Sequence, residues 1–221
     1  MDFKGPASAD YANVRSLNRT FLGLLRAGGP GDAQRRKIPE RLGPQIVGLT
    51  DLQIERLSGC PFLLLSFRER DADYWDRLLA EEPAGDLWCD PAGDAVERIL
   101  SAGLAFLWQL ARRNPYAVRL IAGASVAWCE QLASVNLIDL LQSASGRGDL
   151  LSPRFAGQEE PWSKLLGPGI SSRPAMRTAA HLSVLQSMLT AETTTGRRRL
   201  RAAACVSSAP ALSVADRLDV R

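Results

Sequence analysis

Histidine occurs once in this chain, at position 181, and four cysteines (60, 89, 129 and 205) lie far apart with no C-x-x-C pair among them. A structural zinc site needs close pairs of Cys or His ligands, so this spacing excludes the common zinc modules. No Walker A loop and no dinucleotide-binding glycine fingerprint is present. Gly123-Ala124-Ser125-Val126-Ala127 lacks the second glycine of a nucleophile elbow. Glu81-Glu82 and Glu159-Glu160 are adjacent pairs whose side chains diverge, so neither reads as an acid/base couple. His181 has no partner motif beside it and reads as a surface or half-buried helix residue. The expectation is a non-enzyme with no cofactor, no catalytic residue and no metal ligand.

Long apolar runs are also missing. The longest, Ile99 to Ala111, is interrupted by Ser101 and Gln109 and falls short of the roughly 18–20 residues of a membrane span. The first residues, Met1-Asp2-Phe3-Lys4-Gly5-Pro6, show no charged-then-apolar signal pattern. Cys60 and Cys129 sit among apolar residues and read as core fillers. Together these features lead to the expectation of a cytoplasmic protein without membrane contact. Asn18-Arg19-Thr20 matches a glycosylation triplet only by chance, within a helical pattern.

Among the 221 residues, 46% are hydrophobic and 23% charged, an ordinary globular balance. The net charge of +3 is unevenly placed. Residues 11–57 carry eight basic and four acidic side chains, and residues 69–100 carry three basic and ten acidic. Residues 191–221 add six arginines against three acids. A basic head and an acidic neck steer different partners, or are simply two solvated faces.

Hydrophobic periodicity predicts a mainly α-helical chain. Val14, Leu17, Phe21 and Leu24 form a 3-4-3 stripe on a helix over 11–26, with Asp10 as its N-cap. The stripe is either a core face or one half of a dimer seam. Gly28-Gly29-Pro30-Gly31 ends the helix. Ile38, Leu42, Ile46 and Val47 mark a short helix that Pro44 kinks or delays. Thr50 and Gln53 then make a capping box for a second short helix, with Ile54 and Leu57 on its apolar face. Two short helices joined by a turn at Gly48 have the outline of a helix-turn-helix. Phe62 to Phe67 reads as a short strand or a buried extended segment. A helix follows over 71–81, with Tyr74, Trp75, Leu78 and Leu79 as its apolar face.

Pro83-Ala84-Gly85-Asp86 and Asp90-Pro91-Ala92-Gly93 suggest a domain boundary near residue 85. Beyond it, helices are expected over 94–113, 116–133, 135–144 and 174–189. A long loop anchored by Trp162, Leu165 and Leu166 is expected over 145–172. The division is therefore an N-terminal short-helix domain (1–85), a second helical bundle (90–190) and a disordered basic tail (191–221).

The span IPERLGPQIVGLTDLQIERLSGCPFLLLSFR, residues 38–68, resembles the flagellar transcriptional activator subunit FlhD. Ile38, Glu40 and Leu42 with Gly43 match that family's first helix. Leu49-Thr50 and Gln53 match its L-T-x-x-Q step, Leu57 its next helix, and Leu63 to Phe67-Arg68 its closing apolar segment. Upstream, Leu17-Asn18-Arg19-Thr20-Phe21-Leu22 is similar to the family's N-terminal helix. The likeness covers about residues 10–80.

It implies a small, helical, dimeric protein that activates promoters together with a zinc-binding partner subunit, with Val14, Leu17, Phe21 and Leu24 at the dimer interface. The chain departs from the family in its length, since residues 90–221 have no counterpart. It also departs at Ser66, where the family carries a cysteine, so an intersubunit disulfide there is not carried over. The partner's cysteine cluster is absent.

The expected function is a transcriptional regulator working as a homodimer or with a partner protein. Arg35, Arg36, Lys37, Arg41 and Arg56 would contact DNA phosphates, through the partner complex. The alternative is an adaptor or antagonist that binds another regulator without touching DNA.

Overall fold

In the computed structural model, residues 5–81 and 95–206 are described, with side chains to residue 190. The described chain is mainly helical, in agreement with the periodicity. No helix among the described residues is long and apolar enough to cross a membrane.

The first helix, α1, spans Ser8–Ala27. Its N-cap is Ala7, not Asp10; Asp10 lies in the first turn and accepts the Ala7 N–H at 2.7 Å. A carboxylate there meets both an orphan donor and the positive end of the helix dipole. A four-residue helix, α2, spans Asp32–Arg35. A 3₁₀ turn at Glu40–Leu42 then runs into α3, Gly43–Val47, with Pro44 in its first turn, the late start that proline imposes. The next helix, α4, spans Asp51–Ser58 and begins with the expected capping box. Gln53 N–H donates to Thr50 Oγ1 at 3.3 Å, and Thr50 N–H to Gln53 Oε1 at 2.9 Å.

The apolar run after α4 is a buried extended segment: Phe62, Leu63, Leu64, Leu65 and Phe67 are fully enclosed. Only Leu65–Ser66, β1, pairs as a strand, antiparallel to Ser152–Pro153, β2. Buried backbone groups need partners, and here side chains supply them. Asn18 Nδ2 donates to Phe62 O at 2.9 Å, and Asn18 Oδ1 accepts from Leu64 N–H at 2.7 Å. Trp75 Nε1 donates to Phe67 O at 3.0 Å. Trp75 belongs to α5, Ala72–Ala80, which buries the expected apolar face.

The second half contributes α6 (Ala95–Arg113), α7 (Pro115–Ala122), α8 (Val126–Ser134), α9 (Leu137–Ala144), α10 (Glu159–Leu166) and α11 (Pro174–Val206). Three departures from the sequence reading stand out. The helix expected over 116–133 is two helices, because Gly123 takes a left-handed φ of 62° at the end of α7 and Ser125 caps α8. The long loop expected over 145–172 contains α10, whose Trp162, Leu165 and Leu166 are indeed buried anchors. The tail expected to lack structure from 191 is helical as far as Val206, and residues 207–221 lie outside the described residues.

The boundary near residue 85 falls within 82–94, outside the described residues, but it does not separate two cores. Leu22, Leu64 and Phe67 share one hydrophobic cluster with Leu104, Ile121 and Trp162. The run 62–67 is the reason: its five buried apolar side chains need cover from both halves of the chain. Gly103 shows how close that cover is. A Cβ there would lie 2.2 Å from Phe67 Cζ.

Candidate functional site

The stripe assigned to a dimer seam is a core face. Val14 and Phe21 are fully buried, Leu24 nearly so, and Leu17 is half-buried against the same cluster. Their apolar surface is covered by the chain itself, so they leave no free seam for a second copy.

Of the five cations assigned to DNA, Arg35, Arg36 and Lys37 precede the helix-turn-helix-like pair and Arg41 and Arg56 lie on it; all but one are already bonded within the chain. Arg35 pairs with Asp32 and donates to Leu25 O at 3.1 Å. Lys37 Nζ is half-buried and donates to Leu151 O at 3.1 Å; burial pulls its pKa below the ordinary lysine value. Arg41 pairs with Glu159 on the surface. Arg56 donates to Ile170 O at 3.3 Å. Only the exposed Arg36 has a guanidinium with no bonding partner among the described residues. The outer face of α4 is acidic as much as basic: Glu55 meets Arg15 and Arg19, and Asp51 meets Arg26 at 2.6 Å.

Two of these cations, Lys37 and Arg41, help to hold a strap. Residues 147–159 cross the N-terminal half and are tied to it by Gln34 to Gly148 O, Lys37 to Leu151 O and Lys37 O to Gly157 N–H. Arg68–Asp149 and Arg41–Glu159 add ion pairs. Lys37, Arg41 and Arg56 find partners more than a hundred residues away in the chain, whereas Arg35 bonds locally to Asp32 and Leu25 O.

At the centre of the strap is a pair that sequence reading missed. Arg154 Nη1 meets Glu69 Oε1 at 2.6 Å, with side chains 5% and 2% exposed. The Arg154 guanidinium also donates to Leu63 O, Ala122 O and, at 2.7 Å, Leu65 O. Glu69 Oε2 accepts from Ser66 Oγ at 2.7 Å and Phe67 N–H at 2.8 Å. A buried charge survives only when paired and hydrogen-bonded, and here both requirements are met. Nothing in the local sequence marks either residue.

A cleft of about 400 Å³ opens over this pair. It lies where the chain leaves β1 and β2, and its walls include Arg68, Arg70, Asp73, Phe155, Gln158 and Met188. Arg68 is held by Asp71 at 2.6 Å and stacks over the Tyr74 ring at 4.0 Å. Arg70 Nη2 donates to Met188 O at 3.0 Å.

His181 is more deeply placed than its sequence context suggests. It is buried where α11 crosses the 3₁₀ turn Pro168–Ile170, with Nε2 3.0 Å from Gly169 O. Burial, reinforced by nearby Arg177 and opposed by the Gly169 contact, lowers its pKa. It reaches no nucleophile; its bond is to backbone. Cys60 and Cys129 are buried, and burial pushes the Cys60 thiol well up, which suits packing and not reactivity. Among the described residues no group of three or more His, Cys, Asp or Glu is placed to hold a metal. Cys89 and Cys205 lie where side chains are not described.

Comparison with known proteins returns no family model, no curated protein and no solved structure that matches this chain.

Proposed function

We propose that this chain is a non-enzymatic regulatory protein that acts by contact with another protein and does not itself grip DNA. The observation that carries this reading is the state of the α3–α4 pair. A DNA-contacting pair needs cationic donors aimed outward. Here Arg35, Lys37 and Arg56 donate to the chain's own carbonyls and Arg41 to Glu159. Alongside exposed Gln45, Thr50 and Asp51, the pair presents two large apolar side chains to solvent: Val47 is 49% exposed and Leu52 59%, on either side of the turn. Large apolar side chains with charged residues at their rim suit a protein partner.

The test is recovery of the tagged full chain from native lysate, with and without nuclease. A partner retained after nuclease and lost on Leu52→Asp supports the reading. A complex held together only while nucleic acid is intact overturns it.

A second reading is an activator subunit of the FlhD type that reaches a promoter through a partner complex. It is favoured by Asn18. The segment similar to the family's N-terminal helix carries Asn18, which bonds Ser58 O, Phe62 O and Leu64 N–H of the segment similar to the family's remaining elements. The two parts of the resemblance thus form one packed unit. A homodimer on this reading needs a face other than the Val14–Leu24 stripe. The complex, and not the chain alone, is then expected to shift promoter DNA, with affinity falling steeply as salt rises. Either role is exercised in the cytoplasm.

A further inference from the structure

The cleft over Glu69 and Arg154 has features that packing alone does not require. Both chain segments that form it pass through left-handed backbone at bulky residues. Arg68 (φ 55°) and Phe155 (φ 58°) are the two non-glycine residues with positive φ among the described residues, and both line this cleft. Side chains of this size rarely adopt that region, and such strain collects at ligand clamps, where the surroundings enforce it.

The charges of the cleft balance. Arg68, Arg70 and Arg154 stand against Glu69, Asp71 and Asp73, so no ion of a single sign is favoured. Nor are the six equally committed. Arg154 and Glu69 hold each other, and Arg68 holds Asp71 and Asp149. Asp73 is exposed, and its carboxylate meets no bonding partner among the described residues. Arg70 is also exposed and donates only to the carbonyls of Met188 and Gly123. Both flank the turn that leads into α5, beside an apolar wall of Phe155, Pro153 and Met188.

We propose that this cleft binds a small zwitterion with an apolar body, of the free α-amino acid class. Asp73 takes the ammonium, Arg70 the carboxylate, and the half-buried Phe155 the apolar side chain. The cleft volume lies within the range of small-molecule sites. This inference stands apart from the partner reading and survives or fails without it.

Titration calorimetry and thermal unfolding of the full chain test it, with leucine, methionine and phenylalanine as probes. Leucinamide, which lacks the carboxylate, and 4-methylpentanoate, which lacks the ammonium, are the controls. At least one of the three amino acids is expected to bind saturably and raise Tm, with leucinamide and 4-methylpentanoate about tenfold weaker than leucine or more. Asp73→Asn should weaken amino-acid binding by about tenfold and lower the unliganded Tm only slightly, because that carboxylate makes no side-chain bond and adds only first-turn charge to α5. The proposal is overturned by the absence of saturable heat with all three amino acids. It is equally overturned if leucine and its two truncated forms bind alike, or if Asp73→Asn binds like the unaltered chain.

Discussion

Arg154 and Glu69 meet at 2.6 Å inside the protein and join the segment leaving β1 to the strand β2. The pair is a tie between the two halves of the sequence, since Arg154 also grips three carbonyls on the buried run and α7. Removing one partner leaves an uncompensated buried charge. Arg154→Leu should therefore lower the unfolding free energy by about 3–5 kcal/mol in urea titrations. Glu69→Gln keeps an acceptor for Ser66 and Phe67 and should cost less. If the double variant loses the full sum of the two single losses, the two residues are not coupled as described.

Asn18 acts as a backbone surrogate for the extended run. Asn18→Leu leaves Phe62 O and Leu64 N–H without partners in the interior, at about 1–3 kcal/mol for each buried group. The expected signature is local as well as global: in hydrogen exchange the Leu64 amide should lose protection more than amides of α6. Uniform loss across the molecule would argue for simple destabilisation.

Gly103 sits inside α6, where alanine is ordinarily better by about 1 kcal/mol. Here the Phe67 ring occupies the space, so Gly103→Ala should instead destabilise, by about 1–3 kcal/mol from overpacking. Pairing it with Phe67→Leu removes the ring and should recover part of the loss. Thermal unfolding of the three variants decides the matter.

His181 gives the fold a pH dependence with a definite sign. Its folded pKa lies below the ordinary 6.5 because burial disfavours the imidazolium. The unfolded chain therefore takes up the proton first. The histidine's contribution to stability is whole above about pH 6.5 and falls as pH drops from there toward the folded pKa. His181→Gln, which offers an uncharged amide donor to Gly169 O, should flatten that part of the stability–pH curve. A curve unchanged by the substitution would assign the acid sensitivity elsewhere.

Much of the local structure was legible because its causes are local. Thr50 and Gln53 announce α4, and the buried run 62–67 is apparent from composition. Some local signals were there but unread. Glu159-Glu160-Pro161 ahead of Trp162, Leu165 and Leu166 has the acidic first turn and the apolar spacing of α10. Gly123 followed by Ser125 is a helix stop and a helix start in succession. The site was read less well. A cation's charge is visible in the sequence, but whether it faces solvent or a distant carbonyl is not, and four of the five proposed DNA contacts turned inward or toward Glu159.

By itself the sequence determined helices, caps and the apolar segment that must be buried, because hydrogen bonding within a few residues and the 3.6-residue period are properties of adjacent positions. The tertiary structure alone decided that the two halves share one core, that the Val14–Leu24 stripe faces inward, and that Arg154 finds Glu69. Those outcomes depend on which surfaces meet when a largely apolar extended segment has to be covered, and such meetings join residues whose separation along the chain carries no trace of their contact.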